Sequence, residues 1–248
     1  MAMDESYLKS VVAARGRGNY REVFINALRK ISTDVKLGSV RSCLAVGAGE
    51  GRYELEFLKQ CEANVSKFIG IEPDHASAEH LRTSLWSSLP GVESQVFETT
   101  VENWEGPGIP VDLITMFQVL YFVPAGERQE FLKKVHDSWL VSGGYVAAVI
   151  LNLLKSGLKR VSERLGLPVP TYEEIEADFL KAGFTRYYEH EMHVTRDLRD
   201  PDESLLPAFQ IHSKDRLITL DDLREAVMQE PIPDGNEVYT MVMYKSRN

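Results

Sequence analysis

Short apolar runs alternate with amphipathic stretches along most of the chain. Ser42–Val46, Lys67–Ile71, Ser94–Phe97, Val111–Phe117 and Gly144–Leu151 read as strands. Arg52–Cys61, Ala76–Ser87 and Glu127–Trp139, which lie between them, carry apolar positions at helical spacing. Strands separated by crossover helices predict a parallel sheet with helices on both faces. A near-continuous run such as Leu113-Ile114-Thr115-Met116-Phe117 suits a strand buried on both sides.

The flanks read differently. Ahead of the first strand, Tyr20, Val23, Phe24, Ala27, Leu28 and Ile31 recur at i, i+3, i+4, i+7, i+8 and i+11, which predicts a helix with one apolar stripe. That helix must pack on the α/β body or over its binding face. Beyond Leu151, Thr171-Tyr172-Glu173-Glu174 has the spacing of a capping box and Gly183 marks a helix stop. A strand over Thr185–His193, a polar, proline-containing excursion from Val194 to Ile232 and a last strand over Glu237–Tyr244 follow. Two strands without a long helical crossover predict antiparallel pairing. The expected organisation is one domain over 1–248: an N-terminal helical lid (1–41), a core (42–151), and late helices with a C-terminal hairpin (152–248).

Composition narrows the partners. With 44% apolar and 26% charged residues, the chain matches an ordinary soluble globule. Its 248 residues suffice for a sizeable core without staples. Acidic residues outnumber basic ones 37 to 28, a net charge of −9, which disfavours nucleic acid and anionic membranes as partners. No run approaches ~18 apolar residues and Met1–Ser10 lacks an apolar signal core, so a cytoplasmic protein is expected. Cys43 and Cys61 have no metal-ligand spacing around them and read as reduced structural thiols; no metal site is expected.

The chemistry starts at the first strand, which runs directly into Gly47-Ala48-Gly49-Glu50-Gly51 before a helix opens at Arg52. Glycines let backbone approach a ligand, and the helix start offers unpaired N–H groups. The second strand ends at Glu72, placed as the acid that accepts ribose hydroxyls in dinucleotide folds. The turn lacks the third spaced glycine of the G-x-G-x-x-G fingerprint, and Glu50 would repel a pyrophosphate. A cofactor carrying adenosine but no phosphate fits better, which favours S-adenosylmethionine over NAD.

With these features the chain resembles the class I S-adenosylmethionine-dependent methyltransferases over roughly Ser42 to Asn248, through the glycine turn, Glu72, Asp112 at the head of the fourth strand, and the terminal hairpin. More narrowly, it is similar to the histamine N-methyltransferase family. Asp112–Val123 resembles that family's fourth-strand signature, Asn19–Phe24 its N-terminal helix with a substrate glutamate, and Asp234–Glu237 its asparagine before the last strand. The resemblance implies a Rossmann-like sheet, mostly parallel with an antiparallel hairpin, and methyl transfer to nitrogen of a small amine or imidazole-type substrate. It assigns Gly47, Gly49, Glu72, Ser77, Thr100, Val101 and Phe117 to the cofactor. Glu22 and Gln118 become the catalytic pair, and Tyr20, Tyr121, Phe122 and Asn236 line the substrate. A monomer is the default. Phe122 stands where a tyrosine is expected, and Leu153–Leu165 lacks expected tryptophans, so the departures gather at the substrate end.

Helical periodicity pulls against one assignment. Glu22 lies about 200° round the helix from Tyr20, opposite the apolar stripe, where a glutamate is ordinarily solvated. Gln118, immediately after a buried strand, stands at the sheet edge where open α/β sheets bind ligands. Two alternatives remain open: a small-molecule O-methyltransferase, and a cofactor-binding module without chemistry.

Overall fold

The computed structural model describes residue 13 and residues 16–198, 200–206, 209, 213, 217–228 and 235–247. Seven strands form one sheet: β1 (Ser42–Val46), β2 (Lys67–Ile71), β3 (Glu93–Phe97), β4 (Val111–Phe117), β5 (Leu140–Leu151), β6 (Phe184–Arg196) and β7 (Gly235–Ser246). Their order is β3-β2-β1-β4-β5-β7-β6. The first five are parallel, and β7 runs antiparallel to both β5 and β6. The helices are α1 (Tyr20–Asp34), α2 (Arg52–Gln60), α3 (His75–Ser88), α4 (Ala125–Lys134), α5 (Leu158–Arg164), α6 (Tyr172–Lys181) and α7 (Leu220–Met228).

Strand alternation divides the core. On one face, Cys43, Ala45, Leu113 and Met241 meet the α1 stripe together with Phe57 of α2 and Leu81 of α3. On the other, Leu44, Ile114, Val146 and Val242 meet α4 and α6 through Leu132, Ile175 and Phe179. A third apolar cluster joins α5 and α7 through Val161, Leu165, Leu223 and Val227. The expected stripe of α1 is the buried one: Tyr20, Phe24, Ala27, Leu28 and Ile31 point inward.

Several elements differ from expectation: β5 begins at Leu140 rather than Gly144, and α4 ends at Lys134 with a separate helical turn over Val135–Trp139. Strand β6 runs on past His193 to Arg196, because β7 pairs with it along that whole length, to Gly235 opposite Arg196. Helix α7 lies inside the stretch expected to be a polar excursion. Its start is a reciprocal cap, with Thr219 N–H donating to Asp222 (2.9 Å) and Asp222 N–H to Thr219 Oγ1 (3.1 Å), and Leu223, Ala226 and Val227 are buried. The parts of that excursion at 199, 207–208, 210–212, 214–216 and 229–232 lie outside the described residues.

At the amino ends of β1 and β4, Asp112 locks the two strands. Its Oδ2 accepts from Arg41 N–H (2.9 Å), Ser42 N–H (2.8 Å) and Ser42 Oγ (2.8 Å). Asp112 thus serves the sheet, at the end of β4 away from Gln118. Strand order reverses between β1 and β4, and in such sheets ligands bind in the crevice beyond the carboxyl ends at that point. The glycine turn after β1 and Gln118 after β4 flank that crevice.

Candidate active site

Left-handed backbone shapes the turn after β1, with φ of +62° at Gly47 and +52° at Gly49. A Cβ on Gly47 would come within 2.6 Å of Val119 Cγ2, so a side chain there would drive the β1 and β4 loops apart. At Gly49 a Cβ would project into open space, the volume available to a ligand lying against the turn.

Glu72 faces this turn from the end of β2 and is only 6% exposed. Oε2 accepts from Gly49 N–H (2.8 Å) and Oε1 from Asp74 N–H (3.0 Å). Burial raises its pKa above the usual glutamate range, and the two N–H donors pull it part of the way back. A carboxylate has about four lone-pair sites, so two N–H bonds leave capacity for two hydroxyl donors. That is the donor–acceptor match a ribose diol requires.

The other expected cofactor residues are placed less uniformly. Ser77 is buried, and its N–H donates to the capping carboxylate of Asp74 at the start of α3 (2.8 Å), so it builds the turn behind Glu72. Thr100 and Val101 are half-buried at the short 3₁₀ turn after β3, where Thr100 Oγ1 accepts from Asn103 (3.1 Å). Phe117 is buried in the cluster beneath α1. Its ring meets Phe24 (5.7 Å) and Phe57 (5.6 Å), so most of it is taken up by the core. Glu50 turns towards Arg52 (3.3 Å) and His80 (3.2 Å), so its charge bears less on the crevice than the bare sequence implies.

Across the crevice Gln118 holds φ of +58°, one of two non-glycine residues in that region among those described. Its N–H donates to Val149 O (2.9 Å). Its side-chain amide donates to the hydroxyl of Tyr20 and accepts from Tyr121 Oη (3.3 Å). The structure therefore brings Tyr20, Gln118 and Tyr121 together, with Phe122 edge-on to Tyr121 at 5.1 Å. The α1 residue that reaches Gln118 is Tyr20; Glu22 is exposed, as helical periodicity requires. Asn236 pairs through its backbone with Thr195, and its side chain lies outside the described residues.

Two buried ion pairs nearby have no counterpart in the sequence reading. Glu237 is fully buried and accepts from Arg196 Nη2 (2.9 Å) and from Tyr239 Oη (2.7 Å). Tyr239 then packs edge-on to Tyr20 at 5.1 Å, and burial holds its phenol proton firmly. The available signal was an acid directly ahead of the apolar run Val238–Val242. The second pair, Arg128 with Asp178, links α4 to α6 at 2.8 Å.

Cys43 and Cys61 are buried thiols, with Cys61 pushed up to about 12 mainly by burial and Cys43 raised further. Among the described residues, His75, Glu79 and Glu98 have ligand-type atoms within 4.8 Å of one another. All three are exposed, and Arg82 already pairs with both glutamates. No helix among the described residues is long and apolar enough to cross a membrane.

No family model matches the chain, and no curated protein matches its sequence. Solved structures do share its fold. A putative methyltransferase from Bacillus halodurans aligns with TM-score 0.64 at 12% identity, over 90% of this chain and 99% of that one. A cyclopropane synthase from Mycobacterium tuberculosis gives 0.57 at 14%, over 89% and 82%. A magnesium protoporphyrin IX methyltransferase from Synechocystis, with bound SAH, gives 0.54 at 10%, over 92% and 83%. The sheet is thus the Rossmann-like sheet of class I methyltransferases. The narrower resemblance to histamine N-methyltransferases finds no support in these comparisons.

Proposed function

We propose that this protein is an S-adenosylmethionine-dependent methyltransferase acting on a nitrogen of a small amine or imidazole-type acceptor. The observation that carries the cofactor is Glu72, a buried carboxylate held by Gly49 and Asp74 N–H groups with acceptor capacity remaining beside the open face of the glycine turn. Methyltransferases of the same fold support it.

When bound, the cofactor supplies a methyl group already activated on a sulfonium. The chain's own residues must then align a neutral nucleophile in a dry crevice, and positioning of this kind contributes ~7–11 kcal/mol in well-oriented reactions. Glu72 accepts the ribose hydroxyls. Gln118 and Tyr121 orient the acceptor through an amide and a phenol, and Tyr20 closes the crevice from α1. Neutral hydrogen-bonding groups suit an imidazole, whose pKa of ~6.5 leaves it mostly unprotonated at pH 7. An alkyl amine must first lose a proton, at a cost of about 4 kcal/mol at pH 7. Glu22, exposed on the side of α1 away from Tyr20, balances the amine's charge from a distance in this reading, and Asn236 contributes from the head of β7.

A second reading, a cofactor-binding module without transfer, is favoured by one observation. Tyr20 is 2% exposed, and the Gln118 amide hydrogen-bonds to both Tyr20 and Tyr121 within the site. A panel of imidazoles, indoles and arylalkyl amines, assayed for S-adenosylhomocysteine release and followed by mass analysis of the methylated atom, separates the two. The expected result is turnover with methyl on nitrogen. Methyl on oxygen or carbon overturns the acceptor class, and tight cofactor binding without turnover across the panel favours the module.

A further inference from the structure

We propose that a pocket behind Tyr121 and Phe122 is a ligand site, taking an aromatic or aliphatic group that ends in a neutral carbonyl oxygen. The cavity is about 390 Å³. One wall is the loop from β4 to α4, with Tyr121, Phe122 and Pro124; the facing wall is Pro168 and Val169, on the approach to α6. Arg128 completes the lining from the first turns of α4, and its side chain is only 3% exposed.

That arginine is half matched. Its Nε donates to Asp178 Oδ2 at 2.8 Å, whereas its buried Nη1 has no hydrogen-bond partner among the described residues. A guanidinium presents five N–H donors in a fixed fork and accepts none, and a buried donor without an acceptor is unfavourable. Nη1 is closed to water in this fold, so an acceptor oxygen reaches it from the pocket as the lining side chains part, and the bond it makes removes that penalty.

The surroundings select the kind of oxygen. Asp178 already balances the charge of Arg128, and Glu174, exposed in the same lining, adds a negative charge while accepting from Thr171 N–H (2.8 Å). A carboxylate would bring a further negative charge into this group, and an amine would offer Arg128 a donor against a donor. A carbonyl accepts the hydrogen bond without either conflict. Two aromatic rings, three prolines and two valines favour an apolar body, and the volume lies at the small end of ligand pockets.

Tyr121 lines this pocket and also donates to Gln118, so an occupant presses on the group that orients the acceptor. Identifying that occupant as the far end of the methyl acceptor rests on the function proposed above; binding at Arg128 does not.

Benzamide, benzoate and benzylamine share a ring and differ in charge and acceptor. Each is titrated against the full chain and followed by backbone amide NMR. Benzamide is expected to bind saturably and shift the amides of Tyr121, Phe122 and Val169, with the other two at least about fivefold weaker. Arg128→Lys keeps a cation beside Asp178 but removes the fork, and should weaken benzamide at least about fivefold. Val169→Phe fills the pocket from the opposite wall with Arg128 intact and should do the same, which covers failure of the first variant to fold. No saturable benzamide binding, equal binding of all three probes, or undiminished binding in the folded variants overturns the site. Methyl transfer is assayed separately: no turnover with benzamide still bound at Arg128 counts against the proposed function and leaves the site standing.

Discussion

Glu72 meets two opposed demands, since burial favours its neutral form while the ribose hydroxyls proposed for it favour its carboxylate. Its folded pKa lies above that of the unfolded chain, so its stabilising contribution is fully present below the usual glutamate range and is lost as pH rises through the folded value. The ligand-free protein should therefore lose melting temperature as pH rises above the usual glutamate value of about 4.3, and Glu72→Gln should flatten that decline. The same variant accepts at one oxygen only, so calorimetry should show S-adenosylhomocysteine binding ~10–100-fold weaker. Gln118 carries strain of another sort. A non-glycine residue at φ +58° costs ~1–2 kcal/mol. Gln118→Ala removes the amide and keeps that strain, whereas Gln118→Gly removes both. The glycine variant should melt ~2–4 °C above the alanine variant while both lose at least ~10-fold in turnover. Equal melting temperatures would mean that the loop relaxes once the amide is gone.

Asp112 does its work in the pairing of β1 and β4, where one carboxylate oxygen gathers three donors. Asp112→Ala should cost ~3 kcal/mol and lower the melting temperature by ~6–12 °C. It sits at the head of a strand about 20 Å long whose other end holds Gln118, so cofactor affinity should change by less than ~3-fold in calorimetry. Elements like β4 were legible in the sequence because burial on both faces demands an unbroken apolar run. The capping box of α6 was equally plain, since Thr171 and Glu174 satisfy each other's backbone N–H within one turn. Helix α7 was hidden because its cap uses Asp222 and its apolar positions are few in a polar, proline-containing stretch. In the candidate site, residues at strand ends could be placed, because topology puts Gln118 at the switch point and Glu72 at the end of β2 against the glycine turn. The Arg128–Asp178 pair could not, because local pattern says how a helix faces inward and not which other helix it meets.

The whole molecule is closed by a strap between its first and last regions. Gly18 bridges Arg196, Asn19 N–H donates to Thr195 O (3.2 Å), and Asp197 N–H donates to Arg17 O (2.9 Å). The strap sets the entry into α1 and hence the position of Tyr20 over Gln118. A Cβ on Gly18 would run into the Thr195 carbonyl oxygen. Gly18→Ala should release α1 without touching the glycine turn: hydrogen exchange at Phe24–Ile31 should quicken at least ~10-fold and turnover should fall, with S-adenosylhomocysteine affinity held within ~3-fold. Unchanged exchange would show that α1 docks through its aromatic side chains alone.

A ribosome delivers α1 well before β6, and β6 joins the sheet through β7, which is made later still. β1, α2 and β4 cover part of the α1 stripe early, but at ~5–20 residues per second the part that meets β6 waits on the order of ten to forty seconds. During that interval the β6-facing part of the α1 stripe is open to any holdase within reach, although Tyr20, Gln118 and Tyr121 have all been made.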